Sequence, residues 1–198
     1  MRVDEVIQTT IIYLQQKGVN TDEQILRRLE LLDKFNTVRS KFLSDMLIAG
    51  NKISAINYQT IFEDVNGYSD ENDRLVAFDC PHTIMGKIEF VGSTNGVVRF
   101  RQSDTLMEYQ STIKSQIPSI TRYYRDLNQL LLDNRNVSTI RINALCVNPY
   151  SVSTFNPDYD QYPIDEALIP QLNEALFQVY FSKISQVKPD VKPDSTQS

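Results

Sequence analysis

The chain has 198 residues, 41% hydrophobic and 23% charged, with a formal net charge of -5. That balance supplies a core of ordinary size and excludes a disordered chain. The negative charge excludes a non-specific DNA binder held by phosphate contacts, although an acidic wall suits DNA that must slide past without sticking.

Val3, Val6, Ile7, Ile11 and Leu14 recur at helical spacing and predict a first amphipathic helix closed by Gly18. Thr21-Asp22-Glu23-Gln24 reads as a capping box that opens a second helix. Leu31, Phe35, Val38, Phe42 and Met46 carry that helix to Gly50-Asn51, which makes it the longest element. The first 50 residues are therefore expected to form a helical hairpin. Lys52 to Thr60 is polar and reads as an extended arm that offers few side chains to a core. On that reading, deleting Lys52 to Gln59 leaves the subunit folded but impairs its assembly.

The acid-rich stretch Asp64 to Asp73 is a polar loop. It places Gly67 fourth where a calcium loop needs glycine sixth, so it reads as a connection. Arg74 to Cys80 reads as a strand stopped by Pro81. Ile88 to Val91 and Val97 to Arg101 flank Gly92-Ser-Thr-Asn95-Gly96, which predicts a hairpin with a type I′ turn at Asn95-Gly96. Alternation puts Val98 and Phe100 on one face and Arg99 and Arg101 on the other, a solvated or subunit-facing surface. Ile113 to Asn134 fits either a helix after Pro118 or two strands turning at Asp126-Leu-Asn128. Thr139 to Val147 is a strand, and Tyr150 to Tyr162 is loop. Pro170 fits the first turn of a last helix, whose Leu172, Leu176, Phe177, Val179, Tyr180 and Ile184 make a wide apolar arc. The repeated Val-Lys-Pro-Asp from Val187 is too polar and proline-rich to fold alone.

The sum is one α+β domain over residues 1–186. Residues 1–50 form the helical hairpin, 51–73 the polar arm and loop, 74–149 a small antiparallel β-sheet, and 150–186 a loop with a carboxy-terminal helix on the first helices. Residues 187–198 form a disordered tail. Cys80 and Cys146 sit in apolar, strand-like settings and read as buried free thiols of a reducing compartment. The single histidine, His82, has no partners at zinc-ligand spacing, and no phosphate loop, dinucleotide fingerprint or nucleophile elbow occurs. No catalytic residue, cofactor or metal ligand is assigned. No apolar run approaches the ~20 residues that span a bilayer, so no membrane partner is expected.

The combination LLDKFNTVRSKFL, followed by the run ending Asn57-Tyr58-Gln59-Thr60, resembles small virion proteins of crAss-like and related short-tailed bacteriophages. Further along, the hairpin around Gly92, the strand Ile140 to Pro149 and Tyr162-Pro-Ile-Asp-Glu-Ala-Leu-Ile-Pro170 match in order. The resemblance implies a head-to-tail connector forming a ring of about twelve copies. Such a ring docks under the portal protein, continues the DNA channel without specific DNA binding, and receives the next tail or ring protein. It implies a place in the virion tail neck, and in the host cytoplasm during assembly. On this reading the arm residues Lys52, Ile53, Asn57, Tyr58, Gln59 and Thr60, with Tyr159, Tyr162 and Pro163, are candidate subunit contacts. The rivals are a non-viral adaptor domain using the same arm, and an enzyme with a carboxylate site.

Overall fold

The computed structural model describes residues 1–19, 28–64, 76–103, 121–126, 129–133 and 137–182. The Thr21–Gln24 capping box, most of the 64–73 loop, Arg74, Ile113–Ile120 and the Val-Lys-Pro-Asp repeat lie outside them. The fold is α+β, with a helical layer, small mainly antiparallel sheets and a carboxy-terminal helix against the first two helices.

Helix α1 spans Val3–Gln16 and α2 spans Arg28–Ile48. Gly18 and Gly50 both take positive φ. That conformation lets Val19 N–H reach Leu14 O at 3.0 Å and Asn51 N–H reach Met46 O at 2.9 Å, closing each helix on its own last turn. Helix α3 spans Ile169–Leu176, with Pro170 in its first turn, and runs on as a π turn over Phe177–Phe181. Val6, Ile7 and Leu14 of α1, Leu31, Phe35 and Val38 of α2, and Leu172, Leu176 and Phe181 form one buried cluster. Val179 departs from the expected apolar arc and is 61% exposed. The wider π turn spaces residues differently from an α-helix and carries Val179 off the buried face.

The β region is two sheets rather than one. Strands β1 (Gln59–Asp64), β7 (Thr139–Cys146) and β3 (Thr83–Gly92) form the first, in the order β1-β7-β3. Strands β2 (Val76–Asp79), β6 (Gln129–Leu132), β5 (Arg122–Asp126) and β4 (Arg101–Gln102) form the second, in the order β2-β6-β5-β4. Between them lie Ile61, Ile140, Ile142 and Val91 of the first sheet, and Phe78, Leu130, Leu132 and Tyr123 of the second. The described part of Ile113–Asn134 takes the two-strand form, β5 pairing antiparallel with β6.

The hairpin after β3 differs from expectation. Within it Gly96 alone has positive φ, so Asn95-Gly96 is not a type I′ turn, which needs positive φ at both residues. Instead Gly96 N–H bonds Ser93 O at 2.8 Å, a turn completed by a left-handed glycine. After a single bridge from Arg99 to Gly92, the chain leaves the first sheet and β4 pairs parallel with β5 in the second. Phe100 is thereby buried in the sandwich, whereas Val98, expected on the same face, is 52% exposed.

One buried cation joins the helical layer to the sandwich. Arg39, fully buried on α2, donates from Nε to Pro163 O at 3.1 Å, from Nη1 to Cys146 O at 3.0 Å and from Nη2 to Asn57 O at 3.2 Å. Among the described residues no carboxylate pairs with it. Its guanidinium lies 5.8 Å from the Tyr162 ring centroid. Burial lowers its pKa from the usual arginine value, yet three carbonyl dipoles and a ring face hold the charge. Beside it, Ser40 Oγ donates to Val147 O at 2.7 Å, so successive residues of α2 grip the end of β7.

Arg39→Met removes the donor that Arg39 supplies to each of three carbonyls and is expected to cost about 3–5 kcal/mol in urea unfolding. Arg39→Lys recovers only part of this, since an ammonium lacks the planar fork that reaches three segments at once.

On the surface between α1 and α3, Glu174 accepts from the Tyr13 hydroxyl, from Gln178 Nε2 at 2.7 Å and from Lys17 Nζ at 3.1 Å. Tyr13 first, then Gln178 and Lys17, hold its carboxyl at about 2, below the usual 4.5. A depressed carboxylate stabilises the fold above its unfolded value, and that contribution disappears as pH falls through the folded value. The melting-temperature gap between wild type and Glu174→Gln should be constant above pH ~5 and close towards pH ~2, read by circular dichroism.

Candidate functional site

The segment read as a free arm is largely built into the fold. After Gly50 it makes a 3-10 turn over Ala55–Asn57 and then enters β1. Asn57 is buried: its Oδ1 accepts Asp165 N–H at 3.2 Å, its Nδ2 donates to Ser54 O at 3.2 Å, and its carbonyl receives Arg39. Gln59 is also buried and donates from Nε2 to Pro149 O at 3.2 Å. Its Oε1 has no partner among the described residues. Ile53 and Tyr58 are half-buried against Leu43, Ile84 and Leu145. Lys52 and Thr60 are exposed, and Thr60 Oγ1 bonds Asn143 Oδ1 at 3.1 Å across the strands. The short polar side chains satisfy a buried junction, which an apolar periodicity count does not register.

The second predicted stretch divides in the same way. Tyr159 is 77% exposed at the tip of a turn. That turn is set by Asp158 N–H on Asn156 Oδ1 at 3.0 Å and Asn156 N–H on Asp160 Oδ2 at 2.7 Å. Tyr162 is buried, its hydroxyl donating to Asn36 Oδ1 and its ring edge-on to Phe35 at 5.9 Å. Burial raises its pKa. Pro163 is buried, and its carbonyl is one of the three on Arg39.

These two stretches, a hundred residues apart, meet in one groove of about 470 Å³. Tyr58, Gln59, Thr60 and Phe62 line one wall, and Phe155, Asp160, Tyr162 and Pro163 the other. Strand β1 is the end strand of its sheet, so this wall is a sheet edge, and among the described residues no strand pairs with that edge. Lys52, Ile53, Asn57 and Tyr159 are not among the lining residues. An unpaired edge beside a half-apolar groove can receive an extended segment by strand addition.

No protein-family model matches the chain, and no curated protein matches it.

Among the described residues, no group of three or more His, Cys, Asp or Glu side chains is placed to hold a metal ion. No helix among them is long and apolar enough to cross a membrane. Cys80 and Cys146 are free and buried, and burial pushes the Cys146 thiol up to about 12, which opposes thiolate chemistry. Sequence reasoning missed Arg39 because it searched for apolar positions. The available signal was its place four residues from both Phe35 and Leu43, on the buried face of α2.

The stretch Lys52–Gln59 is consequently not expected to be removable, because its deletion takes Asn57 and Gln59 from the junction. Asn57→Ala should lower unfolding stability by about 1–3 kcal/mol, while Tyr159→Ser should stay within about 0.5 kcal/mol. Chemical denaturation of the two variants distinguishes a built-in junction from a loop.

Proposed function

We propose that this chain is a virion structural protein: the ring-forming head-to-tail connector of a short-tailed bacteriophage. In that role it docks under the portal, continues the DNA channel and binds the next tail component. The observation that carries the reading is the edge of β1, unpaired among the described residues, running beside a groove walled by Tyr58–Phe62 and Phe155–Pro163. A ring closes only if each copy presents two different complementary surfaces, and an open sheet edge is one such surface. The net charge of -5 supports the same reading, since an acidic channel wall lets DNA pass without holding it. The resemblance in the 31–60 and 140–170 regions supplies the phage context.

Purified protein mixed with purified portal and imaged by electron microscopy should show a ring of about twelve copies on one face of the portal. A chain that remains monomeric and does not co-sediment with portal overturns the connector reading.

A further inference from the structure

We infer that the outer face of the three-stranded sheet is a self-association surface, a row of alternating rings and guanidinium groups that receives the acidic surface of a second copy of this chain. Strand register builds the row. Phe62 of β1 lies opposite Arg141 of β7, Arg141 lies opposite Gly92 of β3, and Gly92 bridges Arg99 beyond the hairpin. Gly92 has no side chain, and the Val98 carbonyl and the Phe90 ring share the space: a Cβ there would run into Val98 O and sit 2.5 Å from Phe90 Cζ. Arg99 and Arg141 flank that ring with guanidinium carbons 5.8 Å and 6.0 Å from its centroid. Arg99 is anchored on Glu89 O, and Arg141 by Nε on Asn143 Oδ1 at 3.4 Å.

Neither arginine has a carboxylate partner among the described residues. Phe62, at the end of the row, is 44% exposed. Arginine and aromatic side chains already held in place lose little freedom on binding, and they are the residue types that dominate interface energetics. The charge pattern selects the partner. With 25 acidic against 20 basic residues, another copy carries an excess of carboxylates, which this row of guanidinium groups complements.

This surface rests on the ring-forming reading and deepens it, and sedimentation velocity on the full chain without portal tests it separately. Wild type should self-associate between about 10 μM and 1 mM, more weakly as salt rises from about 50 to 500 mM. Arg99→Glu with Arg141→Glu should weaken association at least about tenfold, while Lys41→Glu, a single charge reversal at an exposed position of α2, should not. The milder pair Arg99→Lys and Arg141→Lys keeps the charge but loses stacking, and should weaken association about two- to fivefold even if the glutamate variant misfolds. Association untouched by any arginine variant, or reduced equally by Lys41→Glu, overturns the surface while leaving rings on portal intact as a separate result. A wild type that is monomeric throughout overturns it too, as does retention of a labelled DNA duplex that the arginine variants release.

Discussion

The whole arrangement depends on one buried charge that no carboxylate among the described residues pairs. Taking a guanidinium out of water is costly, and a carboxylate partner would be the usual remedy. Arg39 instead ends on three backbone carbonyls from three segments: the 3-10 turn before β1, the end of β7 and the turn at Pro163. Each carbonyl lies at or beside the end of a regular element, where a side-chain donor can take the place of a backbone one. The planar fork with its spread donors suits this geometry, and a lysine would not reach all three. Helix α2 thus acts as the post to which the strands and the carboxy-terminal turn are tied.

That tie also places the groove. Asn57 and Pro163 are fixed through their carbonyls to the same guanidinium, and their neighbours Tyr58–Thr60 and Asp160–Tyr162 form the facing walls. The groove is therefore a consequence of core packing rather than of two loops that happen to approach. Residues that line it split their roles: Gln59 and Tyr162 hold the junction from beneath, while Thr60 and Phe62 face outward. A rigid floor with an open strand edge is the kind of surface that binds without paying to order itself.

Outside the groove, the first sheet is polar and aromatic where the second sheet does not cover it. Strand alternation sends Ile61, Ile140 and Ile142 inward and Phe62, Arg141 and Asn143 outward. Near the end of β7 the alternation continues but the outer face turns apolar: Leu145 packs against Leu43 and Ile84 while Ala144 and Cys146 face the sandwich. Both faces of that strand are buried there because α2 lies on one and the second sheet on the other. The Met85-Gly86 bulge in β3, with positive φ at both residues, absorbs the change of register opposite this doubly buried end. Arg125 of the second sheet bonds Gly86 O at 2.8 Å and locks the bulge against it.

What the sequence by itself determined were the features set within a few residues: the apolar stripes of the helices, the closures at Gly18 and Gly50, the turn between Gly92 and Val97, the strand from Thr139 and the helix start at Pro170. Periodicity, steric freedom at glycine and the fixed φ of proline act locally, so they can be read from the chain. Only the tertiary structure decided that Lys52–Thr60 is a junction, that the β region divides into two sheets, and that Phe90 sits between two arginines. Arg39 meets its acceptors at separations of 18, 107 and 124 residues. Pairings of that kind leave no local pattern, because a polar side chain destined for a buried carbonyl looks the same in sequence as one destined for water.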